Sequence, residues 1–132
     1  MKAILKKVGE EPAIVFKELT LKFLQEAVGG YIECVPIGPD VSVYCNEDGI
    51  ALGLKPNCCG FLGDIIISAT DADTGEPRSL TKAEIRKALA WLDKFAALEQ
   101  PGEGAVEIRS GEEARRRLLE ERCELQEIWK AL

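Results

Sequence analysis

The sequence predicts an α+β protein in which a mostly antiparallel sheet is packed by helices on one face. Short runs of β-forming residues are separated by glycine- and proline-containing turns, a spacing typical of strands joined by tight connections. Two later segments each carry a capping box, the Ser/Thr and Glu pair that begins many helices. With 132 residues, of which 46% are hydrophobic, the chain can form one compact domain.

The first elements are predicted to be a hairpin and a helix. Residues 3–8 and 13–17 are strand-like, and residues 9–12 (Gly-Glu-Glu-Pro) predict the loop between them. Thr20 is expected to cap the following helix. Gly29-Gly30 is expected to end it, because glycine accepts the left-handed conformation at little cost. This order is also compatible with a ubiquitin-like β-grasp arrangement.

The middle of the chain predicts further strands. Residues 31–37 and 41–45 alternate around a Gly-Pro-Asp turn. Asp48-Gly49 predicts a hairpin turn with positive φ at Gly49, and residues 50–52 are the expected return strand. Residues 64–70 are predicted to form a buried strand, because the apolar residues within this segment are continuous rather than alternating.

Two helices complete the predicted fold. Thr81 and Glu84 form the first capping box, and an apolar stripe predicts a helix to about Leu98. Ser110 and Glu113 form the second, which begins a helix that continues to the C-terminus.

These elements predict three segments in the chain. We expect an α+β domain over residues 1–98, a linker or short strand over residues 99–111, and an amphipathic helix over residues 112–132. This last helix is expected to pack on the domain or on a partner. The protein is accordingly expected to be a monomer, or a homodimer formed through the C-terminal helix.

Composition disfavours several classes of function. The net charge of −6 is spread along the chain, so the concentrated basic surface needed for direct nucleic-acid binding is not predicted. No apolar run approaches the roughly 18 residues that cross a membrane, and charge begins too early for a signal peptide. We therefore expect a cytoplasmic protein with no membrane association.

Catalysis is also disfavoured by the residues present. The chain has no histidine, which removes the commonest general base and every Ser-His or Cys-His pair. Five cysteines without a C-x₂-C unit predict reduced, mostly packed thiols rather than a zinc site. We expect no enzyme, no cofactor and no metal. Catalysis by Cys58, Cys59 or carboxylates is the least favoured alternative.

Several segments resemble an uncharacterised family of small proteins common in phages, plasmids and conjugative elements of Gram-positive bacteria. The similar segments are MKAILKKVGEEPAIVF, LQEAVGGYIECVPI, CNEDGIALGLKPN and GDIII, within residues 1–98. Family members commonly show a Gly-Gly-Tyr-Ile-Glu run, matched by residues 29–33, and an Asn-Glu-acidic-Gly turn, matched by residues 46–49. Asn57 matches a Pro-Asn element. The C-terminal helix looks like an addition to the family's pattern.

The resemblance implies an accessory protein of a mobile element, and such proteins often disarm host defence. We therefore expect a stoichiometric inhibitor of a bacterial defence system, of the anti-CRISPR or anti-restriction type, whose partner could be a Cas effector nuclease. The alternative is a non-catalytic module that binds a small ligand or a signalling nucleotide. The candidate binding residues are Tyr31, Glu33, Asn46, Glu47, Asp48, Asn57, Arg115, Arg116 and Trp129.

Overall fold

The computed structural model describes residues 1–57, 60–98 and 126–132. Residues 126–131 are helical and are called α3 below. The other elements, in chain order, are β1 (Lys2–Lys6), β2 (Ala13–Phe16), α1 (Leu21–Val28), β3 (Ile32–Gly38), β4 (Val41–Asn46), β5 (Ile65–Thr70), β6 (Pro77–Arg78) and α2 (Lys82–Leu98).

The strands form one sheet in the order β2-β1-β5-β4-β3, with β6 paired to the end of β5. Each strand pairing in the described part of the chain is antiparallel. The continuous apolar run therefore becomes the central strand, where Ile65, Ile66 and Ile67 are fully buried because both faces of the sheet are covered. The predicted α+β class and antiparallel sheet are confirmed.

The helices cover both faces of the sheet, so the prediction of helices on one face was wrong. Val43 and Ile67 face α2 and α3 in the larger core. Tyr44 and Ile66 point to the other face, where they pack with Leu24 of α1. Because neighbouring residues in a strand point to opposite faces, consecutive apolar residues in β4 and β5 require a helix layer on each side.

The β-grasp arrangement is not the one observed. Such a fold pairs its first strand in parallel with a central strand, whereas here Ile4 of β1 lies opposite Ile67 of β5 in an antiparallel pair. The reason lies in the connection from β4 to β5. β4 and β5 are antiparallel neighbours, so the segment between them stays at one end of the sheet. β5 is antiparallel to β1 on its other side as well, so β1 and β4 run in the same direction and β5 runs opposite to both.

The predicted helix ends are confirmed where the structure describes them. The Thr20 side chain accepts a hydrogen bond from the backbone N–H of Phe23, and Gly29 ends α1 with φ of 78°. In α2 the capping box is reciprocal, since the Glu84 N–H donates to Thr81 Oγ1 at 3.1 Å and the Thr81 N–H donates to Glu84 Oε1 at 2.9 Å. The second predicted capping box and the linker lie outside the described residues. None of the described helices is long and apolar enough to span a membrane.

The predicted return strand over residues 50–52 is wrong. The chain after β4 makes successive turns, in which the Leu52 N–H donates to the Asp48 carbonyl at 2.9 Å. The positive φ in this segment belongs to Gly53 rather than to Gly49. A Cβ at Gly49 would lie 3.0 Å from the Cβ of Leu62, so close packing accounts for this glycine. A helix-like turn replaces the hairpin.

Candidate functional site

Most of the predicted binding residues meet at one end of the sheet, where β3 begins and β4 ends. The Glu47 N–H donates to the Tyr31 carbonyl at 2.9 Å, and Glu33 lies opposite Cys45 in the strand pair. The structure thereby brings together Tyr31, Glu33, Asn46, Glu47 and Asp48. We call the four of these that reach solvent, Tyr31, Glu33, Glu47 and Asp48, the β3–β4 tip.

Asn46 holds this end of the sheet together from inside. Its Nδ2 donates to the Val28 carbonyl at 3.0 Å, and its Oδ1 accepts from the Asp48 N–H at 2.7 Å. A Cβ at Gly30 would lie 2.9 Å from Nδ2, so a larger residue would displace the amide. The two glycines therefore differ in purpose: Gly29 provides the left-handed end of α1, and Gly30 makes room for Asn46.

Asn57 is also a structural residue and does not belong to the tip surface. It is buried, and its Nδ2 donates to the carbonyls of Lys6 and Gly63 at 2.8 and 2.9 Å. Its backbone N–H donates to the Phe61 carbonyl at 2.7 Å. Asn57 thereby ties the segment between β4 and β5 to the end of β1, which leaves its side chain unable to reach a partner.

The exposed side chains of the tip have the composition of a contact surface. Tyr31 is 68% exposed, and Glu47 and Asp48 are exposed beside it. An aromatic ring offers a large contact area with few rotatable bonds, and the carboxylates add negative charge and hydrogen-bond acceptors. The backbone beneath them is held by the β3–β4 ladder and by Asn46, so these side chains start from a fixed base.

A small cavity adjoins the tip and is too small for a nucleotide. Its volume is about 40 Å³, whereas pockets for small molecules measure about 300–1,000 Å³. A space of this size holds water molecules. The cavity is lined by Glu33, Cys45, Asn46, Glu47, Gly49, Ile50, Phe61 and Leu62.

The three remaining candidates lie elsewhere. Arg115 and Arg116 are outside the described residues. Trp129 is 3% exposed and belongs to the larger core, so its ring packs on the sheet and is not an exposed anchor. It occupies the space beside Gly38, and the Lys87 ammonium lies 5.0 Å from its ring centroid. A large apolar ring is more stable in this gap than in water, which explains its burial.

The acidic and thiol side chains of the described residues do not cluster in the way that a metal site requires. No group of three or more Cys, Asp or Glu residues that could hold a metal ion occurs among the described residues. Cys45 is buried as expected, whereas Cys34 is exposed. Burial raises the pKa of Tyr44, as does the neighbouring Cys34. A tyrosine hydroxyl is already protonated at neutral pH, and the raised pKa strengthens that preference.

The structure also shows an exposed surface that the sequence analysis did not identify. It is a groove of about 290 Å³ between β2 and α2, called the β2–α2 groove below. Ala13–Phe16 is a continuous run of four apolar residues, a pattern that favours a buried strand, so the sequence carries no signal for this exposed surface. The groove is lined by Lys2, Ile14, Phe16, Lys82, Ile85 and Arg86.

Fold and surface together define a small α+β protein with a two-sided antiparallel sheet and an acidic, aromatic tip. The chain belongs to the family DUF3846, described as a domain of unknown function, whose model matches residues 1–95. This match confirms the resemblance to an uncharacterised family and leaves α3 outside the shared segment. No curated protein and no solved structure matches the chain.

Proposed function

We propose that the protein acts by stoichiometric binding to another protein, with the β3–β4 tip as the contact surface. The observation that carries the proposal is the exposed Tyr31 ring beside Glu47 and Asp48, on backbone held by buried hydrogen bonds. Aromatic side chains are over-represented among the residues that dominate binding energy. A rigid base increases affinity because little flexibility is lost when the complex forms.

The charge of the tip indicates the kind of partner. Glu33, Glu47 and Asp48 would complement a basic surface, and enzymes that act on nucleic acids carry basic channels for the phosphate backbone. We therefore propose a host defence protein as the partner, either a Cas effector nuclease or a restriction enzyme. The resemblance to proteins of mobile elements supports this choice, and the activity would be exerted in the bacterial cytoplasm.

Binding of a small ligand has weaker support. The cavity beside the tip has a volume of about 40 Å³ and two glutamates in its lining, which would repel a phosphate group. A non-catalytic mode of action is supported by the absence of histidine from the whole chain. Binding to a protein surface requires neither a deep pocket nor a proton-transferring residue.

The proposal is tested by capture from a bacterium that carries CRISPR and restriction systems. The tagged full chain should retain a nuclease, and titration of the purified nuclease should reach full inhibition near one equivalent of the protein. Tyr31→Ala should weaken binding at least about tenfold, because truncation of a central aromatic contact costs more than about 1.4 kcal/mol. Asp48→Lys should weaken nuclease binding more at low salt than at high salt, because salt screens the interaction between charges.

Asp73→Lys provides the matched control. Asp73 lies in the loop that follows β5, at the end of the sheet opposite the tip, so the same change of charge is made away from the proposed surface. Unchanged nuclease binding by folded Tyr31→Ala and Asp48→Lys variants would contradict the proposal. Co-purification of a nucleotide that both tip variants lose would favour the ligand-binding alternative.

A further inference from the structure

Among the described residues, the backbone of β2 is paired on one side only. β2 is the last strand at its edge of the sheet. The Lys17 N–H donates to the Met1 carbonyl, and this spacing makes Val15 exchange hydrogen bonds with β1. The N–H and carbonyl groups of Ile14 and Phe16 therefore point away from β1. An edge of this kind can pair with another extended chain.

Apolar side chains are exposed beside this edge. Ile14 is 45% exposed and Phe16 is 69% exposed, and both line the β2–α2 groove together with Ile85 of α2. The groove has a volume of about 290 Å³. Exposed apolar area next to unpaired backbone provides both contacts that strand addition uses: ladder hydrogen bonds and pockets for alternate side chains.

The rim of the groove is positively charged in an otherwise acidic protein. Lys2, Lys82 and Arg86 line it, whereas the whole chain has a net charge of −6. The Lys2 ammonium also lies 6.0 Å from the centroid of the Phe16 ring. A partner segment that carries carboxylates would complement these three cations.

The opposite edge of the sheet is covered at Pro36, which distinguishes this part of β3 from β2. Within β3, the outward-facing Pro36 has no N–H, and its carbonyl accepts a hydrogen bond from Gln126 Nε2 of α3 at 3.1 Å. Proline and a covering helix are two devices by which edge strands avoid unwanted pairing. The described part of the chain shows no such device at β2.

We propose that the β2–α2 groove binds an extended acidic segment of a partner protein, which adds to β2 as a further strand. On the α2 side of the sheet the segment places an apolar residue against Phe16 and carboxylates near Lys82 and Arg86. A second copy of the chain is a poorer occupant, because pairing two β2 edges would bring two sets of these cations together. The groove and the tip lie at opposite edges of the sheet, so this proposal does not depend on the proposed function.

The test begins with selection of peptides from a random library displayed on phage, with the full chain as bait. Peptides with carboxylates and apolar residues at alternate positions should be enriched, and their affinity should fall as salt is added. In hydrogen exchange, the selected peptide should protect the amides of Ile14 and Phe16. Only every second N–H group of the bound peptide faces β2. Methylation of the nitrogens that face β2 should therefore abolish binding, whereas methylation of the other set should leave binding unchanged.

Two variants probe the groove directly. Phe16→Ala removes a side chain that is mostly exposed, and it should lower the affinity for the selected peptide at least about tenfold. Arg86→Glu should weaken it mainly at low salt. Leu21→Ala, at an apolar residue 60% exposed on α1, is the matched control and should leave peptide affinity unchanged.

Three outcomes would overturn the proposal. The first is a selection that enriches no peptide or enriches basic ones. The second is an enriched acidic peptide whose affinity and amide protection are the same in Phe16→Ala and Arg86→Glu as in the unaltered chain. The third is a dimer in sedimentation that Phe16→Ala dissociates, which would identify a second copy as the occupant. These three readouts do not depend on the nuclease assay, so a negative result with the tip variants would contradict the proposed function and leave the test of the groove unaffected.

Discussion

At the scale of single residues, two buried asparagines replace missing strand pairing with side-chain hydrogen bonds. Asn46 joins the end of β4 to the end of α1, and Asn57 joins the segment after β4 to β1. An asparagine side chain carries both donors and an acceptor on a short stem, so it can satisfy backbone groups that no neighbouring strand reaches. Residues that looked like binding candidates because of their motifs are therefore part of the framework.

Asn57→Ala should lower the free energy of unfolding by about 1–3 kcal/mol, since it removes the donor shared by two backbone carbonyls. Urea denaturation followed by circular dichroism measures this change. Asn57→Asp should be at least as harmful at neutral pH, because a carboxylate oxygen would then face both carbonyls. The exposed substitution Glu47→Ala is the control, and equal stability of all these proteins would refute the structural role of Asn57.

A second prediction at this scale concerns Glu84 and pH. Both of its carboxylate oxygens pair with Arg78, at 2.8 and 3.0 Å. These hydrogen bonds, opposed by burial and helped by the Thr81 N–H, hold the pKa of Glu84 below its usual 4.5. A folded-state pKa below the unfolded value means that the stabilisation is present above about pH 4.5 and is lost as the pH falls through the folded pKa.

Glu84→Gln should therefore be less stable than the unaltered chain at neutral pH, and the difference should shrink as the pH falls below 4.5. Chemical denaturation over this range of pH measures it. Arg78→Gln removes the same ion pair, so the double variant should lose less stability than the sum of the two single losses. A stability difference that is constant with pH would contradict the role given to this carboxylate.

At the scale of elements, the described part of α3 is attached to the sheet at its β3 edge. Trp129 is buried against the sheet and α2, and Gln126 bonds the Pro36 carbonyl. The Trp129 ring occupies the space in which a Cβ of Gly38 would lie. Gly38 is the last residue of β3, and its missing side chain lets the indole approach the backbone there.

Trp129→Ala should lower the free energy of unfolding by about 3–5 kcal/mol, the usual cost of removing a large buried aromatic side chain. Gly38→Ala should also destabilise the protein, because the added methyl group displaces the indole. In the Trp129→Ala background the second substitution should cost much less. Lys130→Ala, at an exposed position of the same helix, is the control. If Gly38→Ala lowers the free energy of unfolding equally with Trp129 present and with Trp129→Ala, the indole ring is not the cause of the destabilisation.

At the scale of the whole molecule, the two edges of the sheet differ in openness and in charge. The β3 edge is covered by α3 at Pro36 and ends in the acidic tip. The β2 edge has no further strand beside it in the part of the chain that the structure describes, and it borders the cations of the β2–α2 groove. Under the two proposals, the acidic tip would contact a basic surface and the β2–α2 groove an acidic segment.

Local features of the sequence determined most of the secondary structure. Thr20 and Glu84 mark helix starts through bonds to residues three positions away, and Gly29 ends α1 through its own backbone freedom. The alternation in residues 31–37 and 41–45 is confirmed, since alternate residues of the two strands face the larger core: Val35, Ile37, Val41, Val43 and Cys45. Such signals are readable because their partners lie within a few residues of one another.

Only the tertiary structure decided which residues are free to bind and which hold the fold. The contact of Asn46 with Gly30, the burial of Trp129 beside Gly38 and the openness of β2 all depend on segments distant in the chain. The second helix layer depends on distant segments in the same way, because Leu24 of α1 packs on Tyr44 of β4 and Ile66 of β5. Sequence pattern specifies how a segment folds locally, whereas exposure is set by its neighbours in space.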